Sequence, residues 1–505
     1  MFEKINVQMR GDKMSEKSKK TLAFDFGASS GRAIVGTLED GKITMEEVHR
    51  FSNDPVMVNG TMYWDTLRQF YEIKQGIVKA KKCGKIESIG IDTWGVDFGL
   101  LDEHGELLEN AVHYRDERTR DMIEKVFAKI PQEKLYEITG NEFMYFNTIF
   151  QMAALKEKRP WVLERAKSFL FTPDLFNYFL TGVKKGEYTM ATTSSMFDIR
   201  EKKWSKEVMG VLGFEESFFP EIVESGTIVG ELSSDICEEL SVEPAKIIAV
   251  ASHDTESASA IVPTQEDDFL FISCGTWSLY GTELEHPAIN ETSLELSVSN
   301  EGAYGGKTNF LKNIAGLWMV QESRRQWRRE GQEYSFGELE QLANAVEPLQ
   351  NYVDVDADRF VAAGNMPRRI RAFCEETGQK IPESVGEVVC CINQSIALKY
   401  RSVLEKIEKC LGKKYNKIHM IGGGIQSKML CQMTANATNC QVIAGPVEAT
   451  ALGNLAVQFV TLGEIKDIKE ARQIVANSEV FQVYEPMNTK EWNQAYETYK
   501  NILKK

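Results

Sequence analysis

The chain has 505 residues, 43% apolar and 26% charged, and its 59 Lys and Arg against 74 Asp and Glu leave a net charge of −15. That balance argues against a nucleic-acid binder, which needs a basic face, and no apolar run reaches the ~18 residues of a membrane span. Nine cysteines without C-x-x-C pairs or histidines at zinc spacing read as reduced cytoplasmic thiols, not a disulfide framework or a metal site.

Residues 1–20 lack the apolar stretch of a signal peptide and read as a disordered tail, with Met14 an alternative start. The N-x-[ST] matches at Asn59, Asn290 and Asn436 then count as accidental. From Thr21 the pattern sharpens. "TLAFDFG" is strand-like, "ASSG" a polar glycine-rich turn, and "RAIVGTL" a returning strand; "DG" at 40–41 then reverses the chain into "KITMEEVHRF". Asp25 stands at the mouth of the first turn. Residues 66–83 are helical in pattern, and 85–102 form a strand that reaches a bend at "TWGV".

"ASHDTESASA" (251–260) follows the apolar "KIIAV", so Asp254 lies where a strand ends. One reading makes it the N-cap of a helix starting near Thr255; the other makes it a reacting carboxylate. The two are compatible, because a carboxylate at a helix N-terminus stays ionised.

Next comes a second strand–turn–strand unit, "DFLFIS", "CGT" and "WSLYGTEL". Two such units, each opening half of the chain, suggest duplicated halves facing a cleft. Both turns combine glycine with hydroxyl residues, so bare N–H groups and Ser or Thr hydroxyls can approach phosphate oxygens. "EGAYGGKT" (301–308) imitates a P-loop, but Glu301 occupies the first glycine position and a strand-like stretch follows. It is set aside. "IHMIGGG" is a buried strand and glycine turn, followed by a helix with Met429, Leu430, Met433 and Ala437 on its apolar face; a flat ring such as adenine fits against such bare backbone. Residues 446–463 read as a small-residue helix opened by Pro446.

Together these segments resemble the FGGY carbohydrate kinases over nearly the whole chain from Thr21. The residues that carry the resemblance are "DFGASSGR" (25–32), "IGIDTWGVDFGLLD" (89–102), "HYRDERT" (113–119), "ASHDTESA" (251–258), "SCGTWSL" (273–279), "LKNIAGLW" (311–318), "IGGGIQS" (421–427) and "VIAGPVEATALGN" (442–454). The resemblance implies an α/β fold of two actin-like, ribonuclease H-type domains, 21–262 and 263–505, with the active site in the cleft between them. It implies a cytoplasmic enzyme using ATP and Mg2+ on a sugar, with no nucleic acid or membrane partner, as a monomer or homodimer. "IDTWGVDF", "HDT" and "GTWSL" with "LKNIAGLW" point to L-rhamnulose as the acceptor. A kinase for fuculose, xylulose or another polyol stays open, as does an actin-like sensor or scaffold.

Residue by residue, the resemblance implies that Ala28, Ser29, Ser30, Gly31 and Arg32 line the phosphate end of ATP. Thr276 and Gln321 also meet the nucleotide, and Gly423 the adenine. Gly95, His253, Asp254, Thr255 and Asn313 bind the sugar. Asp254 is the general base, and Asp25 holds magnesium, through water. Trp94 and Trp277 either stack on the sugar or belong to the core, and "HYRDERT" receives no assignment. Cys274, beside the second phosphate turn, is expected to make the protein sensitive to thiol reagents. Whether Cys374 and Cys391 meet is open.

Overall fold

The computed structural model describes residues 18–504. The tail expected over 1–20 therefore falls mostly outside the described residues, and its last residue, Lys20, already begins a strand.

The first half opens as a meander. Strand β1 (Lys20–Phe26) pairs antiparallel with β2 (Ser30–Glu39), and β2 with β3 (Lys42–Ser52). Asp40 and Gly41 both take positive φ, 51° and 70°, which two-residue hairpins require of their central residues. Helix α1 (Thr66–Ala80) returns the chain to β4 (Ser88–Thr93), parallel to β1. The segment expected to be strand-like over 85–102 is broken by its bend. Beyond Trp94–Asp97 the chain re-forms a strand, Phe98–Leu101, which joins a separate two-stranded sheet with Ser168–Phe171. Strands β5 (Thr227–Glu231) and β6 (Lys246–Ala249) complete a six-stranded sheet of order β5-β6-β4-β1-β2-β3. Strand β1 is buried along almost its whole length, as expected for a central strand covered on both faces. Helix α2 (Asp254–Ala260) follows directly after β6.

The second half repeats the design. Strands β7 (Leu270–Cys274) and β8 (Trp277–Leu284) form the second glycine hairpin. Strands β9 (Ser299–Gly302) and β10 (Thr308–Ala315) extend its antiparallel side. Helices α3 (Trp318–Arg329) and α4 (Val385–Leu411) then lead to β11 (Lys417–Ile421), parallel to β7. After α5 (Lys428–Thr438) come β12 (Gln441–Ala444), helix α6 (Ala449–Thr461) and β13 (Gln482–Tyr484). The seven-stranded order is β9-β10-β8-β7-β11-β12-β13. With β9 removed, both sheets have one topology: an antiparallel meander, two parallel strands, and an antiparallel edge. The "EGAYGGKT" segment is a strand, one 3-10 turn and another strand, so no helix N-terminus faces a phosphate there.

Two expected helix starts shift. Helix α2 begins at Asp254 with His253 as N-cap, and the Asp254 carboxylate accepts from the adjacent Thr255 N–H at 2.7 Å. It does not reach the second- or third-position N–H that an N-cap satisfies. Pro446 does not open α6, which starts at Ala449; the Pro446 carbonyl instead accepts from Gly422 N at 2.9 Å, tying the strand end to the triple-glycine turn.

The halves meet where α2 crosses α6. A Cβ on Gly453 would lie 1.8 Å from the Ser257 carbonyl oxygen, so the helices approach at backbone distance. From α6, Asn454 donates to Asp92 at 2.6 Å, and Gln458 bonds both Ser88 and the Leu22 carbonyl on the first sheet. Gly453→Ala is expected to destabilise the protein by about 1–3 kcal/mol or more, because the methyl meets backbone that cannot rotate away. A thermal unfolding midpoint equal to that of the wild type would overturn this reading of the crossing.

Candidate active site

Both glycine hairpins point their turns at one cleft. In the first, Gly27 N donates to Ser30 O at 3.0 Å, and Asn53 braces the loop through bonds to the carbonyls of Gly27 and Ser29. In the second, Gly275 N donates to Trp277 O at 2.8 Å, and the Gly275 and Thr276 carbonyls accept from Leu317 and Gly316. The loops are thus pinned through their carbonyls.

A cavity of about 290 Å³ lies between the halves, and Ala28, Gly95, His253, Asp254, Thr255, Thr276, Asn313 and Gly423 all line it. An adjoining recess of about 380 Å³ shares Ala28 and Thr276 and adds Ser29, Ser30 and Gln321. Its far wall carries Arg324, Arg325 and Arg328, a local positive patch on an acidic protein. Asp25, Gly31 and Arg32 line neither space. Gly31 lies under the Phe51 ring, which a Cβ would strike. The Arg32 guanidinium is engaged by Asp25 at 2.5 Å and by Glu448.

The bend after β4 forms one wall. Val96 there has φ 68°, a strained conformation for a β-branched residue. Its carbonyl accepts from Thr148 and Gln151, and its N–H donates to Thr193. Beneath it the buried Asp97 carboxylate accepts from both Trp64 and Trp94, and burial pushes its pKa up to about 6 against those bonds. Trp94 is therefore pinned in the aromatic core and shows the cavity only part of its ring. Trp277 is half-buried on the opposite wall.

Asp254 keeps a third of its side-chain surface open and lines the cavity. The surrounding protein still desolvates it, which raises its carboxyl pKa; His253 pulls it back down, and Asp25 pushes it up. Burial, then Asp25, holds Asp92 well above the usual carboxylate range. Asp92 pairs with Asp25 across β1 and β4, and its buried Oδ1 has no hydrogen-bond partner. Asp25 and Asp92 thus stand side by side behind the cavity wall, and among the described residues they do not form, with Asp254, a group of ligand atoms close enough to share one ion.

Three residues without a sequence assignment belong to this region. Asp92 had a signal: it stands in a strand as Asp25 does, in the quoted "IGIDTWG". Glu301 had been read only as what spoils a P-loop. Arg115, from the unassigned "HYRDERT", crosses to the second half, 5.4 Å from the Trp277 ring centre and 4.7 Å from that of Trp318, and donates to the Val361 carbonyl. Only the folded chain brings these partners together.

The Cys274 expectation fails on burial. Its side chain is 1% exposed, burial raises its thiol pKa, and it faces Tyr400 and Ser278 behind the turn. Cys374 and Cys391 do come near each other, as two buried free thiols that influence each other's ionisation. Among the described residues no helix is long and apolar enough to cross a membrane.

Residues 20–260 match the FGGY family of carbohydrate kinases, N-terminal domain, and residues 270–462 its C-terminal domain. A rhamnulokinase from Oceanobacillus iheyensis is 44% identical over 458 residues, 90% of this chain and 96% of that protein. One from Bacteroides thetaiotaomicron is 38% identical, over 96% of this chain and 99% of that protein. Among solved structures, a gluconate kinase from Lactobacillus acidophilus superposes with TM-score 0.78 at 17% identity, covering 96% of this chain and 98% of that one. A Plasmodium falciparum glycerol kinase with ADP does so with TM-score 0.76 at 15% identity, with the same coverage. At such identities the likeness speaks for the two-domain, actin-like fold.

In the native protein, iodoacetamide is expected to alkylate the half-buried Cys83, Cys237 and Cys410 well before Cys274. Peptide mass spectrometry over a time course checks the order. Early modification of Cys274 would contradict its burial.

Proposed function

Since this chain belongs to the FGGY family of carbohydrate kinases, we propose that it phosphorylates L-rhamnulose with ATP, giving L-rhamnulose 1-phosphate in L-rhamnose breakdown. The observation that carries this reading is the convergence on one cavity of Asp254, both glycine hairpins and the triple-glycine turn. The acceptor identity rests on rhamnulokinase relatives at 36–44% identity.

Phosphoryl transfer to an alcohol asks for an in-line hydroxyl, stabilised phosphoryl oxygens and a proton acceptor. Asp254 takes the hydroxyl proton as the oxygen attacks. Gly95, His253, Thr255 and Asn313 hold the sugar. Ala28, Ser29 and Ser30, with Thr276 and Gln321, offer N–H and hydroxyl donors to the phosphate chain, and Gly423 leaves bare backbone for the adenine. Gly31 and Arg32 serve from behind, Gly31 by fitting under Phe51 and Arg32 by fixing Asp25. Asp25 would hold Mg2+ through water, near the orphaned Asp92 oxygen; the ion would neutralise charge on the phosphate oxygens. The two folded units, 21–262 and 263–505, would close on the substrates. Arg115, wedged beside Trp277 and Trp318, is the contact that would latch the cleft against water.

Coupled ADP release over a panel of ketoses and polyols tests this. L-Rhamnulose is expected to give the highest turnover. Asp254→Asn should lower kcat by about 10²–10⁴-fold while ATP binding persists. Turnover on fuculose or xylulose, again lost in the variant, would keep the mechanism and replace the substrate. ADP release indifferent to every sugar would overturn the kinase reading in favour of a nucleotide-driven switch. In the same assay Arg115→Ala is expected to raise sugar-independent ATP hydrolysis relative to sugar phosphorylation; an unchanged ratio would rule out the latch.

A further inference from the structure

His253 and Glu301 form a buried pair on the cavity wall, and the mechanism above leaves Glu301 without a task. His253 Nδ1 lies 3.4 Å from Glu301 Oε2, and His253 Nε2 lies 3.6 Å from Asp254 Oδ1. The imidazole therefore stands between two carboxylates, one from β9 of the second half and one from α2. Its backbone is fixed: His253 N donates to Thr189 Oγ1 at 3.1 Å, and its carbonyl accepts from Glu256 N and Ser257 N. Neither His253 Nδ1 nor Glu301 Oε2 makes a hydrogen bond, and the two face each other at ion-pair distance, 3.4 Å.

Resting on the kinase reading, we infer that Glu301 is a positioning residue of the phosphoryl-transfer site: its carboxylate holds His253 as a cation beside Asp254, which keeps that carboxylate ionised and turned toward the acceptor hydroxyl. The carboxylate that disqualifies "EGAYGGKT" as a P-loop is thus delivered by β9 to the other side of the same chemistry.

The surroundings support the charge assignment. His253 is faced by Asp254 and Glu256 from its own helix and by Glu301 from β9. Burial would push the ring pKa down, but Glu301, then Asp254 and Glu256, outweigh it and hold it at about 9. Burial drives the Glu256 carboxyl well above the ordinary range, although Asn309 and Ser259 donate to its Oε2, so it is the weakest of the three partners. Asp254 is faced by His253, by Asp25 from β1 and by Asp92 from β4. Among these, His253 is the cation that favours its ionised form.

The test uses the full chain, with Glu301→Gln, Glu301→Asp and wild type compared by two readouts. The first follows the His253 ring by NMR against pH, its resonance assigned with His253→Gln. Wild type should titrate well above an ordinary histidine, and Glu301→Gln about 1–3 pH units lower, the effect of losing one close opposite charge. The second is the pH profile of ketose-dependent turnover. Glu301→Gln should lower kcat about 10–100-fold, as loss of an orienting partner does, with KM for ATP unchanged. Its acid limb should move up, because Asp254 loses its cation, and its alkaline limb down, because the ring loses its proton sooner. Glu301→Asp should restore most of kcat. A His253 titration unmoved by Glu301→Gln, or a profile lowered uniformly without shifting either limb, would overturn the inference. Absence of sugar-dependent turnover in wild type would overturn the kinase reading instead, while the NMR titration would still report on the pair.

Discussion

The cleft depends on one close contact, the crossing of α2 and α6 at Gly453 and Ser257. Each helix follows a parallel strand of its own half, and each packs against the opposite half. If the helices stood a side chain further apart, the two glycine hairpins would no longer face one space. The Asn454 and Gln458 bonds to the first sheet would also open. A missing Cβ is therefore what sets the distance between the halves, and it acts from outside the cavity it shapes.

The price of that geometry is electrostatic. An acidic protein gathers Asp25, Asp92, Asp254, Glu256 and Glu301 around one interface, where burial disfavours the ionised forms of Asp92, Asp254 and Glu256. The fold answers in distinct ways. Asp25 receives an arginine, Asp92 and Glu256 amide donors, and His253 stands between Asp254 and Glu301. Opposite charge thus goes to some of these carboxyls, while burial raises the pKa of Asp92 and of Glu256 well above the usual carboxylate range. Three arginines of α3, with Glu333 among them, line the neighbouring recess and concentrate positive side chains there on a chain of net charge −15.

Much of this was legible in the chain. Alternation and turn residues located both hairpins, because Asp40–Gly41 and the glycine–hydroxyl turns state their backbone needs locally. Strand-end position drew attention to Asp254 but left it between helix cap and reacting carboxylate; the family resemblance supplied the second reading. Local patterns failed where the outcome belongs to a neighbour. The strand after the Trp94–Asp97 bend joins another sheet, since Phe98–Leu101 finds Ser168–Phe171 to pair with. Pro446 looked like a helix opener, yet its carbonyl serves the triple-glycine turn. Cys274 looked reactive beside a phosphate turn, but its thiol points behind the turn to Tyr400.

What the sequence determined by itself was the repeated strand–turn–strand design and the residue types at its turns, because both follow from backbone conformation within a few residues. What only the tertiary structure decided was which charges meet. Glu301 reaches His253, Arg115 reaches Trp277 and Trp318, and Asp92 comes level with Asp25, across sequence gaps that no local rule spans. Electrostatic interaction falls with distance and rises with burial, and both quantities exist only once the two halves have packed.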